Sequence, residues 1–220
     1  MSDYATGVAP AGRTSGEVVK QRVVGLVTGA LGAAIVISLL VAVEWGVEVA
    51  DYVLPQDLDR YGIVSHDVNG LVGILIAPFL HAGFAHLMAN TVPLAILGFL
   101  AALRGLGRFF VASLIIIVVS GLGVWFLSPP GLTVGASGLV FGYFGYVVTR
   151  GLFDRHLLDI ALGIGVAVLY YSLIWGVLPG QPGISWQGHL FGLVGGLLAA
   201  WMLRRRRRPV AVASYSSGRD

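Results

Sequence analysis

Ser128-Pro-Pro-Gly-Leu-Thr-Val-Gly-Ala-Ser137-Gly-Leu-Val-Phe-Gly142 is a proline- and glycine-rich segment that runs into a short apolar helix, with a serine at the join. Pro129, Pro130, Gly131 and Gly135 keep the backbone ahead of the serine out of a helix. A serine in that place can be a helix cap and nothing more. Whether it is more depends on its depth in the molecule and on what shares that depth.

The chain around it is 220 residues long, 56% hydrophobic and 11% charged. So few charges mark a polytopic helical membrane protein rather than a soluble domain. The absence of cysteine excludes a disulfide framework, a thiolate metal site and a cysteine nucleophile. Six apolar spans can be drawn, at about residues 23–43, 84–103, 109–127, 137–149, 157–178 and 186–203. The expected fold is therefore an all-α membrane bundle of six transmembrane helices with a short fourth helix. Residues 1–22 read as a disordered tail, 23–203 as the membrane domain and 204–220 as a basic tail.

Of fourteen basic residues, only Arg60 falls on the side opposite the termini. The positive-inside rule then makes both tails cytoplasmic and the chain a multi-pass protein of the cell membrane. The outer side carries one long acidic loop with Glu44, Glu48, Asp51, Asp57, Asp59 and Asp67. The arginine run 204–208 abuts a span, which suits anionic lipid and not nucleic acid.

Polar residues inside spans are functional candidates by default. They are His86 and Asn90 on the second span, Ser137 on the fourth and His189 on the sixth. Each of these spans ends at a cytoplasmic arginine: Arg104, Arg150 or Arg204. Asn90, Ser137 and His189 precede theirs by 14, 13 and 15 residues. At ~1.5 Å rise per residue, all three lie roughly 20–22 Å from the inner boundary. In a hydrocarbon core of ~30 Å they share one level, about 7–10 Å below the outer surface. Thirteen residues of fourth helix cannot cross that core, so residues 128–136 must supply the missing length as non-helical backbone. Such backbone is tolerated only against protein or a water-filled cavity. The sequence thus predicts an outward-facing wet pocket with Ser137 at its floor, where a helix N-terminus favours developing negative charge.

Gly138, Gly142 and Gly145 on the fourth span, and His189, Gly192 and Gly196 on the sixth, fall on faces that let two helices approach closely. A Ser137–His189 hydrogen bond is then expected. No carboxylate lies in the second, fourth or sixth span, so a dyad is expected in place of a triad, with the histidine as base and then acid. Something other than a carboxylate must hold its ring, and Phe141, one turn below Ser137, is placed to pack against it. A metal held by His81, His86 and His189 is the competing reading, disfavoured because no carboxylate is nearby.

At these residues the chain resembles the rhomboid family of intramembrane serine proteases. His81-Ala-Gly-Phe-Ala-His86-Leu-Met-Ala-Asn90 is similar to the family's His-x4-His-x3-Asn, Gly135-Ala-Ser137-Gly138 to its Gly-x-Ser-Gly, and His189-Leu-Phe-Gly192-Leu-Val-Gly-Gly196 to its histidine followed by Gly-x3-Gly. The resemblance implies Ser137 as nucleophile, His189 as base, and Asn90 with His86 and the Ser137 N–H as the oxyanion site. It implies supporting roles for Gly135, Phe141 and His81, the last shaping the pocket. Phe141 falls where many bacterial relatives have tyrosine, so a hydroxyl is lost. The first loop, residues 44–80, matches the family's membrane-dipping loop in position but lacks its Trp-Arg pair; residues 71–80 are either embedded loop or the start of the second span. The implied substrates are transmembrane proteins, cut near the outer end of a span in the lipid bilayer, with no cofactor, metal or nucleic acid. A catalytically inactive relative that binds membrane proteins is the alternative, and a small transporter built on the broken fourth span a third reading.

Overall fold

A computed structural model describes residues 14–205. Residues 1–13 of the expected disordered tail and 206–220 of the expected basic tail lie outside the described residues. Among the described residues the regular structure is helical, apart from one two-residue strand pair. In order come α1 (Ser15–Val53), β1 (Ile63–Val64), α2 (Gly73–Ile76), α3 (Phe84–Ala102), α4 (Leu106–Leu127), β2 (Leu132–Thr133), α5 (Ser137–Asp154), α6 (Leu157–Leu169), α7 (Leu173–Gly176) and α8 (Trp186–Met202). Three of these, α1, α3 and α4, are long and apolar enough to cross a membrane. The others that correspond to expected spans are shorter, at 18, 13 and 17 residues for α5, α6 and α8.

The first helix departs most from expectation. It starts at Ser15, inside the segment read as tail, because Thr14 and Glu17 form a reciprocal capping box. It also continues to Val53, past the point where charge ends the apolar run. Glu44 and Glu48 are therefore not in an outer loop. They lie on the buried stripe Ala33, Ile37, Glu44, Glu48, which faces α3 and the core. Asp51 is on the same helix, and Asp57, Asp59 and Asp67 remain in the loop.

Residues 68–79 are neither a start of the second span nor a plain loop. They form short helical turns around α2 that pack on α4 through a small cluster of Ile63, Ile74, Ala77 and Val124. Leu80 is extended and Gly83 has φ 97°, so the chain turns before α3 begins at Phe84. Strand β1 pairs antiparallel with β2, Ile63 opposite Thr133. His66 adds a side-chain bond from Nε2 to the Ser128 carbonyl at 2.9 Å. The first loop is thereby fastened to the segment that leads into Ser137.

The fourth expected span begins at Ser137 as read, but α5 does not stop before Arg150. That arginine is buried within the helix, donating to the Leu100 carbonyl at 2.7 Å and facing Asp159. With its charge met inside the protein it has no need to mark the boundary, and the helix runs on to Arg155, which ends it in the left-handed region with φ 53°. The helix is thus not short beside its neighbours: α6 is shorter. The fifth span, read as continuous over residues 157–178, is broken after Leu169 and resumes as the four-residue α7.

Helix α5 sits at the centre, against α3, α4, α6 and α8, and its widest contact is with α8. The contact is glycine-made. A Cβ on Gly192 would lie 2.3 Å from the Gly138 carbonyl oxygen, and one on Gly196 would lie 2.0 Å from that of Gly142. Only hydrogen fits there, so the backbones themselves touch. Gly138 and Gly142 point their own missing side chains the other way, at Ser120 and Ile116 of α4. The expected glycine face therefore serves two neighbours: α5 is clasped between α4 and α8.

Candidate active site

Ser137 is the first residue of α5, preceded by the non-helical residues 128–136. A cavity of about 590 Å³ opens over it, lined by His86 and Asn90 from α3, Ser128, Leu132 and Thr133 from the non-helical segment, and His189 from α8. The three polar residues assigned one depth by counting along three helices, Asn90, Ser137 and His189, thus line one space, together with His86. On its other side Ser137 borders a narrow recess walled by Ile63, Ile74, Ala77, Pro78 and Ile117. The hydrogen bond expected between Ser137 and His189 is not among those formed by the described residues. The two side chains meet across the cavity, an arrangement common where such bonds tighten only with substrate present.

His189 is fixed on two sides. The Phe141 ring stacks on it at 4.1 Å between centroids and 10° between planes. Its Nδ1 is 2.8 Å from the carbonyl oxygen of Gly176. A carbonyl only accepts, so Nδ1 carries the hydrogen and the neutral ring keeps its lone pair on Nε2. Gly176 belongs to α7, and its lack of a side chain matters. A Cβ there would lie 2.7 Å from Phe141 Cζ and 3.0 Å from His189 Nδ1. Sequence reasoning asked for a group to hold the ring but did not find Gly176; the Gly after Trp175 in an apolar run was the only signal. Ser120 was missed as well. Its Oγ donates to the Gly188 carbonyl at 2.8 Å and so ties α4 to the residue before His189.

The approach to Ser137 is held by histidines. Gly135 has φ 120°, and a Cβ on it would fall 2.7 Å from Cε1 and 2.8 Å from Nε2 of His86. The imidazole therefore lies flush against the backbone two residues before the serine. The Gly135 N–H donates to the Ala77 carbonyl at 2.9 Å, and the Ala136 N–H to His81 Nε2 at 3.4 Å. His81 is almost wholly buried and packs edge-on to His86 at 5.2 Å. Burial, with His86 beside it, pushes the His81 imidazole down to about 4, so it stays neutral and able to accept. Asn90 is buried, and its Nδ2 has no partner among the described residues. A buried amide donor left open beside a cavity is a vacancy that an incoming oxygen atom can fill.

The helices and the cavity define a membrane protein with a serine at a helix N-terminus and a tautomer-fixed histidine beside it. The family follows from comparison with known proteins. The Rhomboid domain model matches residues 69–206, and the chain belongs to the rhomboid family, whose members are generally serine proteases. It is similar to "Uncharacterized protein Rv1337" of Mycobacterium tuberculosis, 42% identical over 194 residues that cover 83% of this chain and 81% of that one. "Uncharacterized protein ML1171" of Mycobacterium leprae is 37% identical over 197 residues, covering 84% and 78%. "Rhomboid protease GluP" of Bacillus subtilis is 32% identical over 129 residues, covering 57% of this chain and 25% of that protein.

Proposed function

We propose that this chain is an intramembrane serine endopeptidase that cuts transmembrane segments near the outer face of the plasma membrane, with both termini cytoplasmic. In this reading six helices span the bilayer: α1, α3, α4, α5, the broken pair α6–α7, and α8. The observation that carries it is the hydrogen bond from His189 Nδ1 to the Gly176 carbonyl, which leaves Nε2 basic toward the cavity shared with Ser137.

The chemistry runs as follows. His189 Nε2 takes the proton of the Ser137 hydroxyl as Oγ attacks the scissile carbonyl carbon. The oxygen becomes an oxyanion held by the Asn90 amide, the His86 ring and the Ser137 N–H, at the positive end of α5. The intermediate collapses, His189 gives its proton to the leaving amine, and an acyl-enzyme remains. Water from the cavity then attacks by the same path in reverse order. Gly176 and Phe141 hold the base, and His81 holds the backbone into Ser137. A substrate helix must unwind to expose its peptide bond, so helix-weakening residues near the cut are expected. The narrow recess beside Ser137 suits a small apolar side chain next to the cut bond.

The test is labelling by a serine-directed fluorophosphonate in liposomes, with cleavage of a transmembrane substrate as second readout. Wild type should label and cut, and Ser137→Ala should do neither. Equal labelling of the two, or none of wild type, would leave the membrane-protein-binding alternative in its place.

A further inference from the structure

At the far end of α5, ~20 Å along the helix from Ser137, a second and much smaller cleft is walled by Arg104, Arg108, Tyr146, Arg150, Asp154 and Arg204. It joins the end of α3, the start of α4, the end of α5 and the end of α8. Two carboxylates, Asp154 and Asp159, already pair with basic groups around it. Asp154 pairs with Arg104 and also accepts the Arg205 backbone N–H at 2.7 Å. Asp159 meets Arg104 at 3.4 Å, Arg150 at 3.5 Å and His156 at 2.8 Å.

Two arginines are left over. Among the described residues, Arg108 reaches only the Arg104 carbonyl, at 3.5 Å, and Arg204 only the Trp201 carbonyl, at 2.9 Å, with its guanidinium over the Trp201 ring. Arg150 is 4% exposed, and its Nε has no partner among the described residues. The cleft therefore combines surplus positive charge with the exposed guanidinium groups of Arg108 and Arg204 and the buried one of Arg150. Guanidinium groups in that condition match a group with several anionic oxygens on one centre, and phosphate is that group.

The surroundings choose the source. Leu103, Trp201 and Met202 are exposed apolar residues beside the cleft, at the basic ends of α3 and α8. A lipid places its phosphate at that level and its chains along such a surface, whereas a free phosphate ion has no use for it. We infer that this cleft binds the phosphate of an anionic membrane lipid, which ties the ends of α3, α4, α5 and α8 together.

Native mass spectrometry of the full chain in neutral detergent tests this, with short-chain phosphatidylglycerol, short-chain phosphatidylcholine and inorganic phosphate as separate probes. Phosphatidylglycerol should bind at least about tenfold more tightly than phosphatidylcholine, and the Arg108→Gln/Arg204→Gln double variant should lose that preference. Both arginines are exposed, so the variant retains the fold; Arg22→Gln, exposed on α1 and outside the cleft, should bind as wild type does. Unchanged affinity in the double variant would overturn the site. Inorganic phosphate displacing the lipid at equal concentration would overturn the lipid as its occupant. None of these readouts involves proteolysis, so they stand apart from the proposed activity.

Discussion

The His189 imidazole donates from Nδ1 to the backbone carbonyl of Gly176, 2.8 Å away, across an interface between α8 and α7. In the proposed mechanism a backbone carbonyl thus occupies the place that a carboxylate has in a triad. It fixes the tautomer and the ring angle, but it brings only a partial charge to a protonated imidazole. The ring depends on position more than on counter-charge, and that makes it sensitive to crowding.

Gly176→Ala is the direct probe. Its Cβ would press on Phe141 Cζ and His189 Nδ1, at 2.7 and 3.0 Å, and displace the stacked pair. A shift near 1 Å at the base should cost on the order of 10²-fold in kcat. Thermal unfolding should change little, since Gly176 is in a four-residue helix at the edge. Phe141→Tyr keeps the stack and should alter kcat only modestly; a large gain would mean that the missing hydroxyl limits this chain.

Removal of the open amide, Asn90→Ala, should lower kcat about 10²–10³-fold with KM little changed. Gly135→Ala should do at least as much damage, because φ 120° and the His86 ring both exclude a side chain. Adding His86→Ala to it relieves the crowding but not the backbone strain, so activity should not return. Wild-type turnover by Asn90→Ala would remove that residue from the oxyanion site.

Gly196→Val should act on stability before chemistry. Even the first carbon would stand 2.0 Å from the Gly142 carbonyl, so α8 must lift off α5. We expect a loss of about 2 kcal/mol or more, seen as a lower midpoint in unfolding, with fluorophosphonate labelling lost in parallel.

Glu44 offers the opposite case. It is fully buried, and neither carboxyl oxygen has a partner among the described residues. Glu44→Leu should raise stability by about 1–3 kcal/mol, read in thermal or denaturant unfolding. A loss of stability would show that the carboxyl is held by a group it needs.

Asp59 carries a pH signature. Partial burial, then Asp51, Asp57 and Glu48, push its carboxyl from 3.8 up to about 6. Between those two values the folded chain holds the proton more firmly than the unfolded one. Stability therefore falls as pH rises through that window, and the penalty is complete above about 6. Asp59→Asn should raise the unfolding midpoint at pH 7 and leave it unchanged near pH 3. An equal shift at both pH values would trace the effect to something other than titration.

What the sequence disclosed and what it hid divide along a physical line. The start of α5 at Ser137 and the Gly192 and Gly196 contacts were legible because backbone restriction and close approach demand particular residue types at particular spacings. The common cavity of Asn90, Ser137 and His189 was legible because helical rise is constant, although Arg150 proved a poor marker of the boundary. Glu44 and Glu48 misled because hydropathy registers charge and not the direction a side chain faces. Gly176 stayed hidden because the chemistry it supplies is a carbonyl, which every residue has. Its position depends on a break at residues 170–172 that an unbroken apolar run conceals.

That break has a further consequence. Helix α7 presents Ile174 and Trp175 outward, and α6 rests mainly on α5. Whatever pushes α7 aside also withdraws the Gly176 carbonyl from His189. In the proposed mechanism the base would then be free to carry its proton on either ring nitrogen, so the α7 turn decides whether His189 is ready to act.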